Sequence, residues 1–320
     1  MNDFLQSIGW AKARRAPLAG DASSRRYWRL SQEGQSAILM ADPDGDIPRF
    51  AHLARHLRDL GLSAPDILAE APGYLLLEDL GDELFAALCD TDPTLERSLY
   101  IAATDVLIAL HRHPAPEGLS VADPPQLARM TDLAFDWYLT GATGQADDRA
   151  KHAAISIFDT VLAQHTPIAD VMILRDYHAE NLIWLPNRPA PANVGLLDFQ
   201  DAMRGHRAYD LVSLLRDARR DVTDDTASAV VAHYLRATGA DEMAFGAAFA
   251  ALGVQRNLRI LGVFARLSRQ SGKPRYIDLI PRVWGHLQRD LAHPALSPLQ
   301  DILAVLPAPT ADILNRLRAA

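Results

Sequence analysis

The feature that most constrains this chain is a pair of short polar segments set between apolar runs. The first segment holds Asp176 and, five residues later, Asn181, and the second begins at Asp198. The apolar runs, each of the length and composition of a β-strand, cover residues 171–174, 182–185 and 194–197. Turn-forming residues separate the last two runs, so we predict a β-hairpin there. A hairpin of that length would place Asn181 and Asp198 at the same end of two neighbouring strands.

These three side chains are suited to phosphoryl transfer. An aspartate such as Asp176 can accept the proton of an attacking hydroxyl group. An asparagine and a second aspartate offer oxygen ligands to a Mg²⁺ ion carried by a nucleotide. A hairpin with polar ends would also explain the turns, but it would not explain why a carboxylate closes an otherwise apolar strand. The pattern therefore favours a metal site formed by Asn181 and Asp198.

The pattern resembles the catalytic loop of the aminoglycoside phosphotransferase and choline-kinase-like family, whose members are related to the protein kinases. That loop usually reads His-x-Asp-x-x-x-x-Asn and is followed by a metal-binding Asp on the next strand. This chain keeps all three residues but has Leu174 in place of the His and Gln200 in place of a Gly. The resemblance implies that Asp176 is the catalytic base, that Asn181 and Asp198 bind Mg²⁺, and that ATP is the phosphoryl donor.

The same resemblance implies an α+β class and a two-lobed, protein-kinase-like fold. A small β-rich N-lobe would cover residues 1–80, with a nucleotide-covering sheet and one helix at residues 48–60. A larger, mainly helical C-lobe would cover residues 81–320 and carry the catalytic loop, the metal site and the substrate-binding helices. The apolar periodicity agrees, since it predicts strands up to about residue 80 and mostly helices after it.

An apolar strand at residues 74–81 ends in acidic residues and Gly81. In the family such a segment is the hinge between the lobes, so backbone groups near Glu78 and Leu80 are predicted to bind an adenine edge. Without the catalytic motif, the same segment would be interpreted as an ordinary strand and turn.

The segment at residues 18–30 is predicted to be the phosphate-covering hairpin. Small residues allow backbone N–H groups to approach phosphate oxygens, and serine and arginine side chains can donate hydrogen bonds to them. The side chains predicted to bind the nucleotide here are Ser23, Ser24, Arg25 and Arg26. The family carries a phosphate-binding Lys on the following strand, but residues 31–50 contain no Lys. We therefore expect Arg25 or Arg26 to supply that positive charge.

Two aspartates follow the metal-binding segment. Asp201 lies three residues past Asp198 and is predicted to contact substrate hydroxyl groups, although a solvated turn aspartate is an equal alternative. Asp210 precedes a helical apolar run, so N-capping alone would explain it. The matching Asp of the family also braces the catalytic loop, and this structural role is the one that we expect for Asp210.

A long helical run near the C-terminus is predicted to bind the substrate. Arg256 and Asn257 fall on its apolar side, where polar groups must find partners or border a cleft. An internal hydrogen-bond network would satisfy them equally well. Arg259, Arg266 and Arg269 lie on another face and are expected to be solvated or ion-paired.

The charges of this region favour some substrates over others. Residues 243–277 contain six Lys or Arg and no Asp or Glu. Kinases of polycationic aminoglycosides or of choline need carboxylates or aromatic cages around their substrates. A basic helix instead suits a neutral or anionic acceptor.

A closer resemblance extends over most of the chain. The segments that carry it are residues 20–29, 75–81, 196–202, 209–217 and 255–267. They are similar to segments of bacterial anomeric sugar kinases, which phosphorylate N-acetylmuramate and N-acetylglucosamine at C1 during peptidoglycan recycling. The resemblance implies a small-molecule amino-sugar substrate.

Two alternative functions stay open. The first is a kinase of the same fold that acts on an aminoglycoside, choline or another small alcohol, which would need acid-lined substrate walls. The second is a nucleotide-binding pseudokinase that serves as a scaffold, as the missing Lys and the changes at Leu174 and Gln200 suggest. The presence of the base and both metal ligands favours an active kinase.

Composition fits a cytoplasmic enzyme without an obligate protein partner. With 320 residues, of which 49% are hydrophobic, the chain can bury a large core. A net charge of −8 gives no support for nucleic-acid binding. The single cysteine excludes an intramolecular disulfide. No apolar run reaches the ~18 residues of a membrane span, and the N-terminus lacks the apolar core of a signal peptide.

Overall fold

The computed structural model divides the chain into two compact units. It describes residues 1–18, 25–43 and 45–319. The first unit consists of Met1–Leu110 and Ala179–Asp201, and the second of His111–His178 and Ala202–Ala320. The boundary between the N-lobe and the C-lobe, expected near residue 80, stays a prediction.

The regular elements within the described residues are numbered here in chain order. The strands are β1 (Arg14–Leu18), β2 (Arg26–Gln32), β3 (Gln35–Ala41), β4 (Ile67–Ala71), β5 (Tyr74–Glu78), β6 (Val171–Ile173), β7 (Leu182–Trp184), β8 (Val194–Leu196) and β9 (Met203–Gly205). The helices are α1 (Asn2–Ser7), α2 (Ile47–Asp59), α3 (Phe85–Thr91), α4 (Glu96–Leu110), α5 (Pro124–Arg129), α6 (Thr140–Thr143), α7 (Asp148–His165), α8 (Tyr209–Leu215), α9 (Asp224–Thr238), α10 (Glu242–Ser271), α11 (Ile280–Leu291), α12 (Ser297–Leu303) and α13 (Ala311–Ala319). Among these described helices, none has both the length and the apolar character needed to cross a bilayer.

The first unit is built on a five-stranded antiparallel sheet with the strand order β1-β2-β3-β5-β4. The central strand β3 pairs its apolar residues directly with those of β5, as Leu39 does with Leu76. Phe4 of α1 joins the same hydrophobic cluster. Helix α2 begins where the Asp46 carboxylate accepts a hydrogen bond from the N–H of Arg49 at 2.9 Å. The predicted β-rich sheet is confirmed, and α2 lies where a helix was expected at residues 48–60, but the short helix α1 is a second helix that the sequence pattern did not predict.

The second part of the first unit is the hairpin of β7 and β8. The strands pair antiparallel with Leu182 opposite Leu196, and the N–H of Leu197 donates to the carbonyl of Asn181 at 3.0 Å. Asn181 ends a 3₁₀ turn directly before β7, and Asp198 lies two residues beyond β8. The predicted hairpin is confirmed, and both expected metal ligands lie at the same end of it.

The second unit is mainly helical and packs around α10, its longest helix. This helix contacts α7, α8, α11, α13 and a π-helical segment, Ala134–Leu139. Residues 247–258 of α10 are buried without interruption, so this stretch has no solvated face. Gly262 permits a close approach between backbones, because a Cβ there would lie 2.2 Å from the backbone of Leu133. α10 is therefore a core helix in its central part rather than an amphipathic surface helix.

Candidate active site

In the second unit, the loop that carries Asp176 leaves β6 through a turn held by Asp210. The buried Asp210 carboxylate accepts hydrogen bonds from the backbone N–H groups of Leu174 (2.7 Å) and Arg175 (2.9 Å). Arg175 has a φ of 70°, in the left-handed region that non-glycine residues adopt only at a cost. Since α8 begins at Tyr209 without a side-chain cap, Asp210 braces the loop, as expected, and is not an N-cap.

The carbonyl group of Arg175 accepts two side-chain hydrogen bonds. Ser213 Oγ donates to it at 2.9 Å, and Nη1 of Arg256 donates to it at 3.0 Å. Both backbone polar groups of Arg175 therefore have partners, which come from α8 and α10. The residue that follows, Asp176, is thus attached to a turn with a fixed orientation.

The carboxylate of Asp176 is held in its ionised form by surrounding cations. Its side chain is 38% exposed, and Nη2 of Arg256 lies 3.9 Å from its Oδ1. Burial raises the pKa of Asp176, but Arg256 and further basic groups outweigh this effect, so that the pKa lies below its usual range. The further cations are Arg175 and Arg259. An ionised carboxylate of this kind can accept the proton of a reacting hydroxyl group.

The expectation that Arg259 is solvated or ion-paired is wrong. Its side chain is partly buried and, within the residues that the structure describes, it has no hydrogen bond or salt bridge. Burial lowers the pKa of Arg259, as do the charges of Arg175 and Arg256, while Tyr209 and the charge of Asp176 raise it. The prediction failed because α10 has no polar face along 247–258, immediately before this residue.

Arg256 and Asn257, both predicted to bind the substrate, have different surroundings. The side chain of Arg256 is 7% exposed and lies beside Asp176. Asn257 is fully buried, and its Nδ2 donates to the carbonyl of Gly253 in the same helix at 2.8 Å. The internal hydrogen bond that was the alternative for Asn257 is therefore present, and a substrate contact of either residue stays a prediction.

In the first unit, the carboxylate of Asp198 is oriented by a neighbouring side chain. Asp198 is exposed and has a φ of 56°. Nε2 of Gln200 donates to its Oδ1 at 2.6 Å, and the backbone carbonyl of Gln200 accepts a hydrogen bond from Nε of Arg49 at 2.8 Å. Gln200, which stands where the family has a Gly, thus has a local function of its own.

The donor set at this end of the hairpin fits Mg²⁺. Asn181 and Asp198 supply an amide oxygen and a carboxylate oxygen, which are hard ligands of the kind that Mg²⁺ prefers. Within residues 1–18, 25–43 and 45–319, no group of three or more His, Cys, Asp or Glu is assembled that could hold a metal by itself. Mg²⁺ usually keeps several water ligands and is bound by one or two carboxylates together with substrate phosphates. A site with few protein ligands is therefore sufficient for it.

The two arginines proposed for the phosphates differ in environment. Nε of Arg25 lies 2.9 Å from Oδ2 of Asp42, and the Arg25 side chain is 19% exposed. Burial lowers the pKa of Arg25, but the hydrogen bond to Asp42 and nearby negative charges raise it above its usual range. Arg26 is exposed, and its guanidinium lies 5.8 Å from the ring centre of Trp28. Of the two arginines, Arg25 is therefore the one with acidic neighbours.

The hinge-like segment contributes structural ion pairs. The Glu78 carboxylate forms a salt bridge with Arg188. Asp79 pairs with Arg29, whose Nε lies 2.8 Å from its Oδ2. The carboxylate of Glu78 is thus engaged within the first unit, and nucleotide binding by backbone groups at Glu78 and Leu80 stays a prediction.

The remaining predicted residues are only partly defined. Ser23 and Ser24 lie outside the described residues. Asp201 is exposed at the end of the first unit, and its negative charge acts on Arg25. Contacts of these residues with nucleotide or substrate stay predictions.

Three histidines of the second unit, the buried His111 and His178 and the partly buried His206, are in their neutral form at pH 7. Burial lowers the pKa of His111 to about 3 and the pKa values of His178 and His206 to about 4. Below pH 6.5 the unfolded chain therefore binds protons that the folded protein does not. The stability that these histidines contribute is complete above pH 6.5 and is lost as the pH falls towards 4.

Lowering the pH from 7 to 5.5 is expected to reduce the free energy of unfolding by roughly 3 kcal/mol. The histidines account for roughly 4 kcal/mol, and uptake of a proton by Asp210, whose pKa burial raises to about 6, offsets roughly 1 kcal/mol. Urea unfolding at both pH values measures the difference. His111→Phe should remove about 1 kcal/mol of it, whereas His113→Phe, at an exposed position, should remove none. Equal stability at both pH values would contradict this account.

Comparison with known proteins identifies relatives over nearly the whole chain. Residues 14–249 match the family described as the phosphotransferase enzyme family. An N-acetylmuramate/N-acetylglucosamine kinase of Caulobacter vibrioides is 39% identical, with 93% of each chain covered. A protein of the same name from Pseudomonas aeruginosa is 32% identical, with 95% of this chain and 93% of that protein covered.

Solved structures that resemble this one establish the fold. A choline/ethanolamine kinase family protein from Mesorhizobium loti superimposes with a TM-score of 0.63 at 15% identity, covering 98% of this chain and 94% of that one. Choline kinase from Cryptosporidium parvum gives a TM-score of 0.62 at 12% identity, with 94% and 98% covered. The predicted α+β, protein-kinase-like fold, with a small sheet-based N-lobe and a mainly helical remainder, is confirmed.

Proposed function

This chain belongs to the phosphotransferase enzyme family, and we propose that it transfers the γ-phosphoryl group of ATP to the anomeric C1 hydroxyl of N-acetylmuramate, N-acetylglucosamine or both. The observation that carries this proposal is the retention of Asp176, Asn181 and Asp198 in a chain that matches sugar kinases over nearly their full length. We place the reaction in the cytoplasm, where ATP is available, as a step of peptidoglycan recycling.

Asp176 is the proposed proton acceptor. The anomeric oxygen forms a bond to the γ-phosphorus, the bond from that phosphorus to ADP breaks, and the hydroxyl proton passes to the Asp176 carboxylate. An anomeric hydroxyl is more acidic than an ordinary alcohol, so its positioning matters more than the strength of the base. The hydrogen bonds of Asp210, Ser213 and Arg256 to the preceding turn supply that positioning.

Asn181 and Asp198 are the proposed ligands of Mg²⁺. The bound ion would neutralise charge on the transferred phosphoryl group. Gln200 holds Oδ1 of Asp198 by a hydrogen bond, which restricts rotation of the carboxylate. Backbone groups near Glu78 and Leu80 are proposed to bind the adenine edge, and Asp201 the hydroxyl groups of the sugar.

Arg25, rather than Arg26, is the proposed replacement for the missing phosphate-binding Lys. Replacing Arg25 by Met is expected to raise KM for ATP about tenfold, which is the effect of losing one charge-assisted hydrogen bond. Steady-state kinetics at saturating sugar measure this. Arg26→Met removes an equal charge from the neighbouring exposed position and should leave KM for ATP nearly unchanged.

A folding control accompanies this comparison, because Asp42 is buried and loses its ion-pair partner in Arg25→Met. Arg25→Lys keeps the charge and should recover most of the ATP affinity. Equal effects of the two Met substitutions on KM would exclude a special role of Arg25.

The proposed activity is tested by transfer from ATP and Mg²⁺ to N-acetylmuramate, N-acetylglucosamine, choline and kanamycin, with phosphorus NMR of the products. A sugar 1-phosphate is the expected product. Transfer only to choline or kanamycin would assign another acceptor within the same fold. Binding of ATP without transfer to any acceptor would favour the scaffold function.

A further inference from the structure

The carboxylate of Asp176 lies beside guanidinium groups of α10 in a partly buried region. Nη2 of Arg256 lies 3.9 Å from its Oδ1, and Arg259, three residues further along the helix, also acts on it electrostatically. Asp210, whose charge also acts on Arg256, already accepts two backbone hydrogen bonds. A buried guanidinium group whose donors lack acceptor oxygens is costly.

Two of these guanidinium groups have unused donor capacity. Nε of Arg256 is buried and has no hydrogen-bond partner among the described residues. The guanidinium of Arg259 lacks a hydrogen bond or salt bridge in the same part of the chain, and burial lowers its pKa. A bound anion would supply the missing acceptor oxygens and the missing negative charge.

We propose that Arg259, together with Arg256, forms a subsite for a carboxylate group carried by the acceptor. A planar guanidinium group binds a carboxylate through two parallel hydrogen bonds, which fixes its orientation as well as its charge. The cluster of Arg256 and Arg259 acts on Asp176, which is proposed to contact the acceptor's hydroxyl group, so an anionic group of the acceptor would lie close to it.

This subsite rests on the proposed function and refines its substrate class. N-acetylmuramate carries a lactyl carboxylate that N-acetylglucosamine lacks, so the subsite would determine the preference between the two sugars. Arg259 is the residue to test. Arg256 also holds the carbonyl group of Arg175, and its replacement would disturb the turn before Asp176.

Arg259→Gln is expected to lower kcat/KM for N-acetylmuramate by about 30-fold, the scale of losing one partner of a buried charge pair. The value for N-acetylglucosamine should fall much less, and Arg259→Lys should recover only part of the loss, because an ammonium group restores the charge but not the two parallel hydrogen bonds. Arg269→Gln, at an exposed position of the same helix, serves as the matched control and should leave the ratio of the two values unchanged. An equal loss for both sugars in Arg259→Gln would overturn the assignment and give the cluster to the transferred phosphoryl group.

A second measurement separates failure of the subsite from failure of the proposed function. Lactate is used as a carboxylate probe at constant ionic strength, with chloride as the reference anion. It should raise the Tm of the wild-type protein above the value in chloride, but not that of Arg259→Gln. No difference between wild type and variant would overturn the subsite, whichever acceptor the enzyme uses.

Discussion

Replacing Asp176 by asparagine is expected to lower kcat by roughly 10²–10⁴-fold, the range for loss of a positioned general base. Asparagine keeps the shape of the side chain but cannot take up the hydroxyl proton. Affinity for ATP with Mg²⁺ should be nearly unchanged, because the residues proposed to bind them lie elsewhere in the chain. Single-turnover phosphoryl transfer and calorimetric ATP titration measure the two quantities separately.

Glu180→Gln provides the matched control for this prediction. It removes a carboxylate from an exposed position of the same loop and should leave turnover close to that of the wild type. A second observable is the pH profile. Because the pKa of Asp176 is held below its usual range, Asp176 should produce no acid limb in kcat/KM between pH 5 and 8. Unchanged turnover in Asp176→Asn would exclude the base role.

The parts of this site that sequence reasoning identified correctly are governed by local rules. A strand period, a turn-rich loop and the positions of Asn181 and Asp198 suffice to predict a hairpin with both residues at one end. In the observed register Leu182 lies opposite Leu196. Arg25 and Arg26 illustrate the limit of this reasoning. The sequence places both beside the expected phosphate site, but it does not show which of them pairs with Asp42.

The parts that local sequence patterns leave open depend on tertiary packing. Asp210 braces a turn 35 and 36 residues earlier in the chain, and no local pattern distinguishes this role from N-capping. Helical periodicity predicts a solvated position for Arg259, because it assumes that a helix has one apolar and one polar face. The part of α10 before Arg259 consists mostly of small and apolar residues, and this composition indicates a helix that is buried on all sides. Such a helix forces its polar side chains into the interior, where they act on one another.

Asp198→Ala is expected to raise the Kd for ATP with Mg²⁺ by at least roughly 10–100-fold, the loss that even outer partners of a metal site produce. Removal of the carboxylate leaves Asn181 as the one proposed protein ligand, and a single neutral amide binds a hard dication poorly. Calorimetric titration of the nucleotide measures the change with Mg²⁺ and, as a reference, with EDTA. In EDTA the variant and the wild type should bind ATP alike.

Two further variants determine whether the loss reflects metal binding or local folding. Gln200→Ala keeps the Asp198 carboxylate but removes the hydrogen bond at 2.6 Å that restrains it, so a smaller loss of Mg²⁺-dependent affinity is expected. Asp201→Asn removes a carboxylate three residues further on. Because the charge of Asp201 acts on Arg25, any change in nucleotide affinity should be the same with Mg²⁺ and with EDTA. The Mg²⁺-dependent loss of nucleotide affinity should be absent in Asp201→Asn, small in Gln200→Ala and largest in Asp198→Ala. This order would mean that Asp198 itself contacts the metal. Undiminished affinity in Asp198→Ala would instead remove this residue from the metal site and leave the hairpin with a structural role alone.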